Sequence, residues 1–392
     1  YLYNCNINRV RKYFIMANLL DKASILLTPN AYNVGSMLSI KPTNGDGDFT
    51  FSRNGNASRV NSSGIIVTEG ANLPRINYEN GCGSWLFEPQ STNLVPYSED
   101  FTQWIISGDV TVESGYLAPD GTNNAYKISG TDNNIKTTIA SLIGTSQRTI
   151  FARTVSGIGT AKLLTHRNNT NNLFNITEQW QRFEVNSTTD TTSQTSFFGI
   201  DFRGGSLTEI ILWGANATND QDYATSYIPT SGASSTRLQD LATDSGNATL
   251  INSTEGVLYA EIATLSDDGT NRCISLYDGS LNNRLTLVLG TSSNSIRTII
   301  KSNGSNSFDE QHIVTSTLNY NKVAVKYKAN DFALWINGVE VATDTSGATP
   351  IGLDRITFDT GNGNLNFYGK TKALAVYKEA LTDAQLTALT TI

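Results

Sequence analysis

A predicted β-hairpin late in the chain brings a tryptophan and a carboxylate together. Asn337-Gly338 separates two apolar runs, and this dipeptide is the strongest short-range signal for a two-residue hairpin turn. Trp335 and Glu340 then share the face opposite the apolar residues. An exposed indole there would stack on the C–H groups of a sugar, while Glu340 accepts hydrogen bonds from its hydroxyls. The alternative is that a subunit contact or the terminal helix covers Trp335, since exposed aromatic residues are common at interfaces.

The same turn predicts the register of the hairpin. The pairs expected across it are Ile336 with Val339, Trp335 with Glu340, and Leu334 with Val341. Five apolar residues are expected on the core face: Phe332, Leu334, Ile336, Val339 and Val341.

Trp180 is a second candidate for sugar contact. It precedes an alternating segment in which Arg182 and Glu184 share its face and Phe183 lies on the other. Trp180 either packs at the edge of a sandwich or lines a groove for a glycan. Trp213 follows three apolar residues and is expected in a core.

The sequence offers little material for metal or catalytic chemistry. It contains only two histidines, His166 and His312, and no Gly-x-Ser-x-Gly elbow, phosphate loop or histidine-rich motif. The acidic turn at residues 44–48 lacks the terminal glutamate of a twelve-residue calcium loop, so a solvated turn is expected. We therefore predict no catalytic residues, no metal site and no cofactor.

The composition favours a polar β-protein over a nucleic-acid binder. Charged residues make up 16% of 392, the net charge is −7, and Asn, Thr, Ser and Gly are abundant. Arg9, Arg11 and Lys12 lie in residues 1–15, so the remainder is more acidic still. No apolar run approaches the roughly 20 residues of a membrane span. Three distant cysteines match neither a zinc spacing nor a disulfide framework, so buried or incidental free thiols are expected: Cys5, Cys82 and Cys273.

Short apolar runs separated by Gly, Asn and Asp predict an all-β chain. We expect two antiparallel jelly-roll β-sandwiches in tandem, a mostly irregular N-terminal attachment region and a short C-terminal helix. The expected divisions are a basic extension at 1–15, an attachment region and connector at 16–90, a jelly roll at 91–237 and a second sandwich at 238–392.

Three local features stand at the ends of these divisions. Ala17–Leu27 has the apolar spacing of a short helix. Trp85–Trp104 carries two prolines and several aromatic residues, so an extended, rigid connector is expected rather than a flexible linker. Leu381–Ile392 is expected to be a helix with Thr382 and Gln385 in a capping box. Three leucines would dock it: Leu381, Leu386 and Leu389.

Longer motifs occur in three parts of the chain. The first part contains Phe51-Ser-Arg-Asn, Ala57-Ser-Arg-Val-Asn, Asn72-Leu-Pro-Arg-Ile-Asn-Tyr, Leu86-Phe-Glu-Pro-Gln-Ser-Thr-Asn-Leu and Tyr97-Ser-Glu-Asp-Phe. The second contains Trp213-Gly-Ala, Tyr223-Ala-Thr-Ser-Tyr-Ile-Pro-Thr and Thr236-Arg237. The third contains Leu334-Trp-Ile-Asn-Gly-Val and Val376-Tyr-Lys-Glu-Ala-Leu-Thr-Asp-Ala-Gln-Leu. The first two sets resemble bacteriophage tail-fibre and related appendage proteins, whose jelly roll looks like a carbohydrate-binding module. The third resembles a laminin-G-like, concanavalin-like sandwich.

The resemblance implies a structural virion protein, a tail or head fibre without catalysis, whose lectin-like sandwiches bind host cell-surface glycans. It also implies attachment to other virion proteins through the N-terminal region, assembly in the host cytoplasm, and a homo-oligomer such as a trimer. Laminin-G-like domains sometimes bind calcium, for which Asp267, Asp268 and Asp278 would be the ligands; solvated loop acids are the alternative. A tailspike-type glycan depolymerase, hydrolase or lyase, and a secreted bacterial lectin or adhesin stay open as other functions.

Overall fold

The protein is described by a computed structural model that covers residues 19, 21–139, 144–165, 173–189, 196–219 and 221–391. Antiparallel strands dominate these residues, and a short α-helix follows the last strand. The prediction of an all-β chain with tandem β-sandwiches and a short C-terminal helix is therefore confirmed.

Residues 25–87 contain eight short strands of three to six residues. They are β1 (Ile25–Leu27), β2 (Ala31–Asn33), β3 (Ser36–Leu38), β4 (Phe49–Ser52), β5 (Ala57–Val60), β6 (Ile66–Glu69), β7 (Ile76–Glu79) and β8 (Cys82–Phe87). β1 and β8 carry three and four buried side chains, whereas β2 and β6 carry none, so no common burial period marks this region in the sequence.

Residues 91–237 form the first sandwich. Its strands are β9 (Ser91–Asn93), β10 (Ile105–Ile106), β11 (Thr111–Tyr116), β12 (Ala125–Ser129), β13 (Asn134–Ile139), β14 (Gly144–Arg153), β15 (Gly159–Thr165), β16 (Leu173–Ile176), β17 (Gln181–Thr189), β18 (Ser196–Asp201), β19 (Glu209–Asn219) and β20 (Ser235–Arg237). One five-stranded sheet has the order β10-β13-β18-β15-β16, and the other has the order β11-β12-β19-β14-β17. An apolar core that includes Ile135, Ile150 and Phe198 belongs to this sandwich.

The second sandwich contains the remaining strands and the helix. They are β21 (Leu241–Thr243), β22 (Glu255–Thr264), β23 (Arg272–Tyr277), β24 (Arg284–Leu289), β25 (Ser295–Ser302), β26 (Ser305–Ile313), β27 (Asn321–Lys328), β28 (Phe332–Ile336), β29 (Val339–Asp344), β30 (Arg355–Thr357), β31 (Gly369–Tyr377) and α1 (Asp383–Thr390). A five-stranded sheet runs β26-β25-β24-β23-β30, and an eight-stranded sheet runs β29-β28-β27-β22-β31-β8-β7 with β1 also paired to β31.

The eight-stranded sheet joins the two ends of the chain. β1 pairs with β31 through Leu26 opposite Ala375, and β8 pairs with β31 through Leu86 opposite Lys370. Strands β1, β7 and β8 thus complete a sheet whose other strands come from residues 255–377. The helix predicted over Ala17–Leu27 is wrong at Ile25–Leu27, because these three consecutive buried apolar residues pair with β31 instead. Attachment of residues 16–90 to a virion stays a prediction.

The Trp85–Trp104 connector is anchored in both sandwiches. Trp85 and Phe87 lie in the core of the second sandwich, whereas Phe101 and Trp104 lie in the core of the first. Between them, β9 pairs antiparallel with β20, so the chain enters and leaves the first sandwich side by side. The first sandwich is therefore an insertion between β8 and β21, and its ends are held together.

The 332–344 hairpin confirms part of the predicted register. Trp335 pairs with Glu340 and Ile336 with Val339, and Asn337 and Gly338 adopt the positive φ angles of 51° and 89° that such a turn needs. The next pair was predicted wrongly. A bulge after Leu334 places it opposite Ala342 instead of Val341. Val339 is 59% exposed and does not belong to the core face.

The C-terminal helix α1 agrees with its prediction. Thr382 and Gln385 form the expected capping box. The three docking leucines are buried: Leu381, Leu386 and Leu389. No helix in the described part of the chain is both long and apolar enough to cross a membrane.

The cysteines differ from one another. Cys273 is a buried free thiol, and burial raises its pKa to about 12. Cys82 is disulfide-bonded, so the expectation of a free thiol is wrong at this position. Cys5 and His166 lie outside the described residues.

Candidate functional site

Trp335 lies beneath the terminal helix. Its side chain is 6% exposed and belongs to an apolar cluster that also contains Leu381, Leu386 and Leu389 of the α1 segment. Glu340 stands opposite it in the hairpin and is exposed. The predicted alternation of faces is present, but α1 covers the face that carries Trp335. The indole therefore offers no stacking surface to a sugar in this arrangement.

Trp180 is half-buried on the outer face of the first sandwich. It packs against a cluster that contains Trp213 and Tyr227, and the Arg153 guanidinium lies 5.4 Å from its ring centre. Phe183 packs against the sandwich core on the other face, as the alternation predicts. Trp213 is 1% exposed.

Five charged side chains form a buried ionic cluster where the two sandwiches meet. They are Arg53, Arg75, Arg237, Glu88 and Asp240, and each side chain is at most 2% exposed. Arg75 Nη1 lies 2.7 Å from Glu88 Oε2, and Arg75 also donates to Asp240. Arg53 Nη1 lies 2.9 Å from Asp240, and Arg237 Nη1 lies 2.6 Å from Glu88. Glu88 lies just before β9, where the chain enters the first sandwich, and Arg237 and Asp240 lie where the chain leaves it. The cluster therefore holds these two connections between the sandwiches together.

Glu88 accepts further hydrogen bonds from the first sandwich. The Ser226 amide and hydroxyl donate to its two oxygens at 2.8 and 2.6 Å. Burial alone would raise the pKa of the Glu88 carboxyl, but Arg237, Arg75 and Ser226 outweigh it and lower the pKa to about 2. Glu88 is therefore an ionised structural group at neutral pH.

A junction cleft of about 610 Å³ lies between the two sandwiches, within the range of roughly 300–1,000 Å³ found for small-molecule sites. One wall is formed where the chain enters and leaves the first sandwich: Pro89, Gln90, Ser91, Thr92, Leu94, Asn219, Gln221, Asp222 and Tyr223. The other wall is formed by Leu265, Asp268, Thr270, Arg272 and Tyr368. Amide, carboxylate and phenol groups line the cleft: Gln90, Gln221, Asp222, Tyr223, Asp268 and Tyr368.

The groups of the junction cleft match the chemistry of a sugar. Amides donate and accept hydrogen bonds, carboxylates accept them, and tyrosine rings offer an apolar face. Burial alone would raise the pKa of Asp268, but hydrogen bonds from Arg272 at 2.9 and 3.0 Å and from Thr270 lower it. Tyr368 is held in place because its hydroxyl donates to Gln239 at 3.0 Å.

A second cavity of about 370 Å³, the arginine pocket, adjoins the cleft. Tyr223 and Leu265 line both cavities. The pocket is also lined by three basic residues, Arg59, Arg182 and Lys370. It lies where the β5–β6 hairpin, the first sandwich and the eight-stranded sheet come together.

These junction residues were missed as site residues in the sequence, although a signal for them existed. The motifs quoted above contain Arg53, Arg75, Glu88, Tyr223 and Arg237. These residues are far apart in the sequence but lie together in the folded protein, so no motif taken by itself reveals the site.

The acidic residues considered for calcium do not converge. Asp267 accepts from the amide of Asn294, Asp268 pairs with Arg272, and Asp278 accepts from the amide of Ser280. Over the ranges that the structure covers, no group of three or more His, Cys, Asp or Glu residues is arranged to hold a metal ion.

No family model matches the sequence, and no curated protein matches it. Among solved structures, the chain is similar to the CBM40 domain of the IT-sialidase of Ruminococcus gnavus bound to α2,3-sialyllactose, with 20% identity and a TM-score of 0.32 over 38% of this chain and 94% of that one. It is similar to domain 4 of AbnA, a GH43 extracellular arabinanase from Geobacillus stearothermophilus, in complex with arabinotriose (17% identity, TM-score 0.34, 44% of this chain and 84% of that one). The CBM22-1 xylan-binding domain of Xyn10C from Paenibacillus barcinonensis matches at 10% identity and TM-score 0.26, over 32% and 91% of the two chains. The structures similar to this chain thus include carbohydrate-binding modules.

Proposed function

We propose that this protein is a non-catalytic glycan-binding protein of a bacteriophage virion, which holds a sugar residue of the host surface in the junction cleft. The observation that carries the binding function is the lining of this cleft, where amides, carboxylates and tyrosine rings from both sandwiches face one volume of about 610 Å³. The virion role rests on the sequence motifs that resemble phage appendage proteins. Other virion proteins would then be its partners, in a homo-oligomer.

The ionic cluster supports this proposal because it fixes the walls of the cleft. Arg237 and Glu88 are joined at 2.6 Å, and Glu88 directly precedes Pro89, the first residue of one wall of the cleft. A site whose walls are held in place before binding loses less conformational entropy when the ligand arrives. The junction therefore suits recognition of a flexible oligosaccharide.

The electrostatics favour binding over hydrolysis. A glycosidase needs one carboxylic acid with a raised pKa beside a second carboxylate. Glu88 lines the arginine pocket and Asp268 lines the junction cleft, and the pKa of each carboxyl is lowered instead. We expect that incubation with a bound polysaccharide produces no new reducing ends; release of oligosaccharides would favour the depolymerase instead.

Replacing Tyr368 with Ala is expected to weaken glycan binding about tenfold or more, because the cleft loses an aromatic ring fixed by a hydrogen bond. Affinity is measured by calorimetry with a glycan selected from an array. Tyr116→Ala is the matched control: its hydroxyl also bonds to a side-chain oxygen, that of Glu113 at 3.0 Å, and it lines neither cavity. Unchanged affinity in a folded Tyr368→Ala protein would contradict the assignment of the cleft.

A further inference from the structure

Three side chains that line the arginine pocket each have a buried polar atom without a protein partner: Arg182, Tyr223 and Thr264. Arg182 Nε and Tyr223 Oη are both buried and make no hydrogen bond, and both side chains line this cavity. A guanidinium N–H can only donate, and a phenol can donate. Leaving such donors unpaired is costly, so an acceptor that enters the pocket would gain hydrogen bonds from both.

Two of the three basic residues of the pocket already have a carboxylate partner. Arg59 pairs with Glu69 at 2.6 Å, and Lys370 pairs with Glu79 at 2.9 Å. Glu88, which also lines the pocket, is neutralised by the ionic cluster.

Arg182 differs from the other basic residues of the pocket. Over the described ranges, it forms no ion pair with a carboxylate; its Nη2 donates to the neutral hydroxyl of Thr149 at 2.8 Å. Its guanidinium lies 5.3 Å from the ring centre of Phe151, which fixes its plane. Burial lowers the pKa of Arg182 to about 10, and Glu88 and Glu184 only partly offset this effect. Arg182 stays charged at neutral pH, and its charge is not neutralised by a direct ion pair within the described residues.

We propose that the arginine pocket binds the carboxylate of an acidic sugar residue, with Arg182 supplying the charge and Tyr223 a hydrogen bond. A planar carboxylate matches the fork of a guanidinium, which explains the choice of this anion. The inference rests on the proposed glycan binding. Since Tyr223 and Leu265 line both cavities, neighbouring residues of one glycan would fill the cleft and the pocket.

The test uses the full chain on an array of matched glycans. Each acidic glycan, carrying a uronate or a sialate, is printed beside the same glycan with that carboxyl converted to its amide, together with neutral glycans. We expect the free acids to bind about tenfold more tightly than the amides, as a charge-assisted hydrogen bond predicts. Arg182→Gln should remove this preference, and Tyr223→Phe, which deletes only the hydroxyl, should reduce it. Arg203→Gln is the control for net charge, since Arg203 pairs with Asp201 and lines neither cavity.

Each outcome separates this inference from the proposed function. Equal binding of acids and amides, or a preference that persists in both Arg182→Gln and Tyr223→Phe, overturns the inference while glycan binding stands. Failure to bind any glycan on the array overturns both. If Arg182→Gln does not fold, the Tyr223→Phe result decides. If inorganic phosphate protects the fold in an Arg182-dependent way but no acidic glycan is preferred, the pocket is a free-anion site and the inference falls.

Discussion

Replacing Glu88 with Gln is expected to lower the free energy of unfolding by about 3–5 kcal/mol, the usual cost of removing one partner from a buried ion pair. Gln keeps the shape of the side chain but leaves Arg75 and Arg237 buried without this counter-charge. The measurement is urea denaturation of both proteins. Glu379→Gln is the control, since Glu379 forms an exposed pair with Lys22 at 2.6 Å, and such pairs contribute little. Equal losses in the two variants would show that the ionic cluster does not stabilise the junction.

The same cluster gives the protein a specific acid sensitivity. The Glu88 pKa is about 2 in the folded protein, against an ordinary value of 4.5. Because the folded value is the lower one, this stabilisation is complete above about pH 4.5 and is lost progressively as the pH falls towards 2. The Glu88→Gln protein should lack this part of the pH dependence. Parallel stability curves for the two proteins between pH 5 and pH 2 would contradict the assignment.

Excision of residues 94–234 is expected to leave a folded protein, although it removes more than a third of the chain. Asn93 and Ser235 pair directly across β9 and β20, so an Asn-Gly turn can join them without moving either strand. The remaining segments keep the whole eight-stranded sheet and its core. Cooperative thermal unfolding, followed by circular dichroism and calorimetry, is the expected result.

Deletion of residues 1–87 is the contrasting variant. It removes β1, β7 and β8 from the eight-stranded sheet, and with them the buried side chains of Trp85 and Phe87. We expect this variant not to fold, because the second sandwich loses part of its core and exposes strand β31. A folded product of this deletion would mean that residues 1–87 are a detachable arm. For the other variant, failure of the protein without residues 94–234 to fold would mean that the first sandwich is not a simple insertion.

Local sequence features predicted local structure well. The Asn337-Gly338 turn brings Trp335 opposite Glu340 and Ile336 opposite Val339 as predicted, and the Thr382–Gln385 capping box is present. These features depend on residues a few positions apart. The pairing of β8 with β31 joins residues almost 300 positions apart, and no local period encodes it. The bulge after Leu334 also has no signature in an apolar run.

The site was harder to predict than the fold. Trp335 and Glu340 do pair, but the position of α1 over that face depends on how the end of the chain docks. Arg53, Arg75 and Arg237 are residue types that usually lie on surfaces, so their burial could not be read from their chemistry. Arg182 was placed on the correct face of its strand, yet its exposure to the arginine pocket depends on the β5–β6 hairpin.

The central claim is that a glycan binds at the junction of the two sandwiches. The most direct measurement is a crystal structure of the protein soaked with the glycan that it binds most tightly on the array. We expect electron density for a sugar ring in the junction cleft, within hydrogen-bonding distance of Gln221 or Asp222 and against the ring of Tyr368. Density for the glycan elsewhere on the protein, with the cleft holding only solvent, would contradict the claim.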